Sequence, residues 1–344
     1  MNFIYNILDL IDNQRSTNEV HGTENEKQLV VDLFSNFVKS LYRIQDQSKE
    51  YERNQHPDPI FHTRGYIKPY KKNLSYYEKI FNTQQRIGIL VRIGTNKRTS
   101  LLGFPLLGFS VKVDNELAFS TMSVNGFISD VPFFSAILRT FFEFNPFVFF
   151  WYVLTNLSKI TYWLKTFIIS LQTYLFKPTY NLDDYTYYSI TPWTYGNKYI
   201  KFLTRPNKDV SDNWYKSVGS IVQNSAKYYL YDHDSYIERQ RKILSKRNVE
   251  FDLYIQFGGD KVFSPINNLT KLWTSKPIKV GTIVIPKTDN PIYPKINDNS
   301  VNFLVTGNAT KFCEPVGDFN ELRNRVYNIV AKIRNEHNKN LKND

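Results

Sequence analysis

Cysteine is nearly absent: Cys313 is the only one in 344 residues. A lone thiol closes no intramolecular disulfide and cannot build a multi-cysteine zinc or iron–sulfur site. Neither Gly-x-Gly-x-x-Gly nor a Walker-type loop occurs, so the usual backbone cradles for nucleotide phosphates are missing. Long apolar runs are scarce as well. The longest uncharged stretch, Phe144 to Ser158, has fifteen residues and contains Pro146. A bilayer-spanning helix needs about 20. No segment repeats with a period of roughly 20–50 residues, which argues against solenoids and propellers.

What is present describes a packed globular chain. Hydrophobic residues make up 42%, aromatics 16% and charged residues 22%, which leaves no room for wholesale disorder. The length suits one large domain or two small ones. The balance of 44 basic and 32 acidic side chains gives a net charge of +12. Such a charge attracts nucleic acid, anionic membrane or a small anion. The basic residues are scattered, however. Their densest clusters, Lys68–Lys72 and Arg239–Arg247, do not extend into tracts, so they read as solvated surface and no nucleic-acid partner is expected. The opening residues, Met1 to Asp12, have no basic leader and are interrupted by Asp9 and Asp12. They read as an amphipathic helix or arm rather than a secretory signal, with a cytoplasmic location expected.

Periodicity orders the chain. Leu29, Val30, Leu33, Phe34, Phe37, Val38 and Leu41 recur at helical spacing, so residues 1–54 form a helical arm ending in a polar, proline-bearing linker from Glu50 to Pro59. Gly88–Gly94, Leu106–Val113 and Glu116–Met122 are short strand-like runs separated by turn residues. Residues 132–177 return to helical patterning; core helices or attachment to a membrane surface would both account for their apolarity. Tyr185–Leu203, Phe251–Phe257, Lys279–Ile285 and Phe303–Thr306 are strand-like again. A helix closes the chain from about Asp318 to Asn338, leaving a polar tail at 339–344. Strands grouped this way point to an antiparallel α+β domain over 55–338 rather than alternating βαβ units.

Several side chains could carry chemistry. In the closing helix, Arg323, Tyr327 and Arg334 are spaced by four and seven residues, which returns them to one side of the helix. Two guanidinium groups then flank one phenol. Nearby positive charge favours phenolate, and phenolate is a known haem-iron ligand. The alternative is an amphipathic helix with a boundary tyrosine. His62, in Phe61-His-Thr-Arg-Gly65, sits just before an expected strand and could serve as a general acid–base, or as a hydrogen-bonded structural residue. Arg92 lies inside the apolar run Leu90-Val-Arg-Ile-Gly94, where a half-buried guanidinium seeks an anion.

The succession of these motifs resembles the haem catalase superfamily. Phe61-His-Thr-Arg-Gly65 is similar to its distal-histidine segment, Val91-Arg-Ile-Gly94 to the strand that follows, and Leu107-Gly-Phe-Ser-Val-Lys112 to the next. Val131-Pro-Phe-Phe134 resembles the start of its helices. Tyr188-Ser-Ile-Thr-Pro-Trp-Thr-Tyr-Gly196 with Lys201, and Phe251-Asp-Leu-Tyr-Ile-Gln256 with Trp273, resemble two later strands. Arg323-x-x-x-Tyr327 with Arg334 reproduces the spacing of the proximal haem segment. Glu314-Pro-Val-Gly-Asp-Phe-Asn-Glu-Leu-Arg323 is similar to compact bacterial catalase-related proteins.

That resemblance implies an antiparallel β-barrel of the catalase type with helices packed around it. It implies haem as cofactor, Tyr327 as the iron ligand, and Arg92, Arg323 and Arg334 as cofactor-binding residues. His62 and a distal asparagine, expected at Asn125 with Ser129 and Asp130 as alternatives, would be catalytic. The implied activity is peroxide metabolism, on hydrogen peroxide or on an organic or lipid hydroperoxide. A haem-free binding module of the same fold, at a membrane surface, is the competing reading, and a homo-oligomer fits either. The motifs also depart from the family. Gly94 replaces the distal serine, with Thr95 one residue off. Pro59 replaces an arginine three residues before the histidine. Asn328-Ile-Val330 replaces the Pro-Asp-Thr after the tyrosine.

Overall fold

The computed structural model describes residues 21–43, 49, 51, 58–95, 107–113, 117–122, 131–142, 147, 151, 182, 186–189, 191–207, 233–259, 264, 266, 267, 269, 273–292 and 312–341. In chain order the elements are α1 (Glu24–Arg43), β1 (Asp58–Pro69), a short 3₁₀ turn (Lys71–Asn73), α2 (Leu74–Phe81), β2 (Ile87–Thr95), β3 (Gly108–Val113), β4 (Leu117–Met122) and α3 (Val131–Phe142). There follow β5 (Tyr187–Tyr188), β6 (Trp193–Tyr195), β7 (Lys198–Pro206), α4 (His233–Lys246), β8 (Val249–Gly258), β9 (Ile278–Ile285) and α5 (Asp318–Asn340). The first twelve residues, most of 132–177 and the run Phe303–Thr306 lie outside the described residues.

The strands form one antiparallel sheet in the order β5-β4-β3-β2-β1-β9-β8-β7-β6. It curls on itself because β5 pairs with both β4, at Met122↔Tyr188, and β7, at Tyr187↔Thr204. The α+β barrel expected from the grouped strands is therefore present. Alternation decides what fills it. Val91, Ile93, Phe109, Val111, Phe202, Phe251, Leu253 and Ile255 are buried members of one cluster, and they alternate with outward residues as strand geometry requires. Phe109 on β3 meets Phe251 on β8 with ring centroids 5.0 Å apart, although β2, β1 and β9 separate those strands in the sheet. Tyr187 abuts both rings at 5.3 and 5.8 Å. Such a contact crosses the barrel interior, so the lumen is a packed aromatic core.

Two expectations about β1 need correction. His62 does not precede a strand but lies within one, and the linker ends by Asp58, where β1 begins. The strand is bulged: Pro59 faces Gly94 and Phe61 faces Ile93, leaving Ile60 as the extra residue. A bulge leaves ladder groups unpaired. Arg241 of α4 satisfies them, its Nη2 donating to the Pro59 carbonyl at 2.7 Å and its Nε to that of Ile60 at 3.2 Å. This member of the Arg239–Arg247 cluster is thus a clamp on the barrel and not part of a free surface.

A helical layer adjoins the barrel. α1 buries Val30 and Val31 against Val131 and Leu138 of α3 and against Phe319, Leu322 and Val326 of α5. Further along, Val38 and Tyr42 of α1 pack with Tyr51, Val330 and Ile333. Within the expected arm, the described helix α1 is packed against the closing helix.

Candidate functional site

The register places the sequence-predicted residues. His62 on β1 is the direct partner of Arg92 on β2, and Arg92 is the direct partner of Ser110 on β3. Directly opposed residues share a sheet face, so His62, Arg92 and Ser110 form one row. Val91 and Ile93 point into the barrel, so the row lies on its outer face. It is nonetheless buried: His62 is 0% exposed and Arg92 6%. The backbone N–H of His62 donates to the Pro291 carbonyl at 2.9 Å, where the segment after β9 returns alongside β1. Thr95 is three residues past Arg92 and takes the opposite face, that of Ile93. It cannot stand in for the missing distal serine at Gly94. Asn125, with its alternatives Ser129 and Asp130, lies outside the described residues.

The second group is on α5. Arg323 donates from Nη1 to the Thr191 hydroxyl at 3.0 Å, and its guanidinium carbon stands over the Tyr327 ring, 5.5 Å from the centroid. Thr191 is fixed in turn. Ser189 Oγ donates to the Thr191 carbonyl at 2.8 Å and accepts from the Phe202 N–H at 3.1 Å. Asn320 Nδ2 donates to the Pro192 and Val316 carbonyls, both at 2.8 Å. The helix is thereby registered against the β5–β6 loop ahead of Tyr327. Tyr327 is half-buried and touches both the barrel core and the helical-layer core. Arg334 is buried two turns further on; eleven residues of helix put it about 16 Å from Arg323. The structure thus pairs His62 with Arg92, and Arg323 with Tyr327, and sets Arg334 apart on the same helix.

This donor set suits haem. A single phenolic oxygen is enough as a protein ligand to haem iron, and Tyr327 supplies one beside the Arg323 guanidinium. Arg92, buried and cationic, suits a carboxylate. A metal bound by protein groups alone is a different matter: the described residues contain no group of three or more His, Cys, Asp or Glu side chains able to hold one.

A further polar feature was not singled out by sequence reasoning. Lys201 on β7 faces outward opposite Gln256 on β8. It is buried beneath Trp273, with Nζ 4.8 Å from the ring centroid. Gln256 Nε2 donates to the carbonyls of Trp273 and Ser275, both at 2.6 Å, which pins the tryptophan loop over the lysine. A Cβ at Gly258 would come within 2.3 Å of the Trp273 ring, so glycine is required there for the loop to close. Burial lowers the Lys201 ammonium to about 7. A cavity of about 320 Å³ opens beside it, lined also by Arg205, Lys276 and Tyr188. The sequence signal was present in Lys201 and Trp273, but only the β7–β8 register brings them together.

No family model matches the chain, and no curated protein matches it by sequence. Solved structures do match. Catalase A from Saccharomyces cerevisiae superposes with a TM-score of 0.56 at 16% identity, covering 87% of this chain and 64% of that one. A bacterial catalase superposes with a TM-score of 0.51 at 12% identity, covering 87% of this chain and 60% of that one. The chain has the catalase-type fold, and it spans less than two-thirds of the length of the catalases it matches.

Proposed function

We propose that this chain is a haem protein acting on peroxides, with hydrogen peroxide and organic or lipid hydroperoxides as the substrate class. The observation that carries the reading is the Arg323 guanidinium standing 5.5 Å over the Tyr327 ring at the junction of barrel and helical layer, in a chain of catalase-type fold. Bound haem would supply the redox chemistry that cleaves an O–O bond. The chain's own residues would do the rest. Tyr327 would hold the iron through its phenolic oxygen, and Arg323, standing over its ring, would hold that ring in place. Arg92 and Arg334 would pair with propionates. The imidazole of His62 would take the proton from one peroxide oxygen and return it to the other, as a general acid–base. With Gly94 at the serine position, no hydroxyl one step along the strand supports that imidazole, so peroxidase-type turnover is favoured over rapid disproportionation.

The test is uptake of haem by protein expressed with haem supplied. Wild-type protein is expected to show a Soret band with a tyrosinate-type spectrum. Tyr327→Phe keeps the ring and removes the one oxygen in question. It is expected to lose haem content while its circular dichroism stays native. A spectrum unchanged in Tyr327→Phe would move the ligand elsewhere. Wild-type protein that folds yet stays colourless would instead make this a haem-free binding protein of catalase fold.

A further inference from the structure

Lys201 is a buried amine that no anion neutralises. It is 8% exposed. Among the described residues, its Nζ meets the Trp273 ring at 4.8 Å and neither a hydrogen-bond acceptor nor a carboxylate. Asp252 lies on the same sheet face, directly opposite Arg205. Its carboxylate, however, is taken up by Lys279 Nζ at 2.7 Å and by the Thr282 hydroxyl at 3.0 Å, and it does not line the cavity beside Lys201. Burial brings the Lys201 ammonium down to about 7, against 10.5 for a free lysine. At pH 7 about half of it is therefore free amine, whereas an ordinary lysine is free in about one molecule in 3,000. A desolvated lysine among other cations is the pattern of an activated nitrogen nucleophile.

The cavity onto which the amine opens selects its reagent. Its volume of about 320 Å³ is that of a site for a small molecule. Arg205, four residues along β7, shares the face of Lys201, and Lys276 approaches from the tryptophan loop. None of the described lining residues is acidic, so the lining favours an anion. We infer that Lys201 is a carbonyl-binding residue, whose Nζ condenses with a small 2-oxo acid while Arg205 or Lys276 pairs with the acid's carboxylate. The nitrogen lone pair forms a bond to the carbonyl carbon. The carbonyl oxygen then leaves as water, carrying off the two amine protons, and an imine remains. No oxidant or reductant enters the step. Once protonated, the imine is a cation beneath the Trp273 ring, where the ammonium is already stabilised.

The experiment incubates the full chain at pH 7 with glyoxylate and sodium cyanoborohydride, which reduces an imine to a stable secondary amine. Peptide mass spectrometry then maps the adduct. Neither haem nor peroxide enters the readout, so the result stands apart from the reading of the haem site. Lys201 is expected to be the first lysine modified. Its labelling, measured against the exposed lysines of the same sample, is expected to be about 10–100-fold more selective with glyoxylate than with propanal, which lacks the carboxylate. Arg205→Gln combined with Lys276→Gln is expected to remove that difference while circular dichroism stays native. Adducts on exposed lysines with Lys201 unmodified in the wild-type protein overturn the proposal, and no variant has to fold for that outcome. Equal selectivity for propanal overturns it too, as does a preference for glyoxylate that the double variant retains.

Discussion

A buried ammonium shows how one residue can weigh on the whole fold. Lys201 has no carboxylate among the residues lining its cavity; its compensation is the Trp273 ring at 4.8 Å, a cation–π contact worth about 2 kcal/mol when desolvated. Burial holds its folded pKa near 7 against 10.5 for a free lysine. Below pH 7 the folded state must carry a desolvated charge, and the penalty is fully present. Between about 7 and 10.5 the unfolded chain binds the proton and the folded chain does not, so stability rises with pH across that window. Lys201→Met keeps the length of the side chain and removes the charge. In urea melts it is expected to be more stable than wild type by a few kcal/mol at pH 6, the gap narrowing steadily toward pH 10. A gap that does not change with pH would mean that the lysine is charged and well solvated in the native state.

At the scale of elements, the junction of α1 with α5 is centred on one carboxylate, with Arg325 of α5 paired to Glu24 of α1 beside it. Asp318, the first residue of α5, accepts from the Gly22 N–H at 2.8 Å and pairs with Lys27 Nζ at 3.2 Å. The same ammonium reaches Glu321 at 2.7 Å, and the Asp318 N–H donates to Asn267 Oδ1 at 2.8 Å. A carboxylate in the first helical turn also complements the helix dipole. Asp318→Ala would strand the Gly22 N–H and leave Glu321 as the carboxylate pairing the Lys27 ammonium, at a cost of about 1–3 kcal/mol. Asp318→Asn keeps an acceptor for Gly22 and is expected to lose less. Hydrogen exchange is expected to quicken first in α1, because its seam on α5 starts at this junction; unchanged protection there with lowered global stability would show that the effect is not local. Elements of this layer were legible in the sequence. The α5 stripe of Leu322 and Val326 and the α1 stripe of Val30, Val31 and Val38 both repeat at helical spacing, and both faces are buried. By contrast, α4 was not legible. Its buried positions are Ile237, Gln240, Ile243 and Leu244, so a glutamine interrupts the stripe and six charged residues dilute the rest. β1 was hidden by Pro59, Gly65 and Pro69, which break a strand pattern, and α2 is only eight residues long. Strands β2, β3, β8 and β9 were plain, since buried β-branched and aromatic residues dominate them. What periodicity could not supply was register. That His62 faces Arg92, that Thr95 turns away from both, and that Lys201 lies under Trp273 are consequences of which strands pair and where the bulge at Ile60 falls.

Over the whole molecule, the residues proposed to hold and serve haem come from two layers built at opposite ends of the chain. His62 and Arg92 belong to the barrel, on β1 and β2, while Tyr327 belongs to α5, which is packed on α1 and anchored to the β5–β6 loop through Thr191 and Pro192. A ligand bound by both layers links their unfolding, because it stabilises only the state in which both are in place. At 100-fold excess over its dissociation constant, such a ligand adds about 2.7 kcal/mol, a rise of several degrees in the melting temperature of a chain this size. Two variants separate holding from serving. Tyr327→Phe is expected to abolish the haem-dependent rise in melting temperature and leave the apoprotein melt within about 1 kcal/mol of wild type. His62→Ala is expected to keep the rise, since the imidazole would act on the peroxide and not on the iron. Its peroxide turnover should nevertheless fall by about 10²-fold or more, the scale of a lost general acid–base. Loss of the thermal shift in His62→Ala with retention in Tyr327→Phe would exchange the two roles. It would place the iron ligand on the strand rather than on the closing helix.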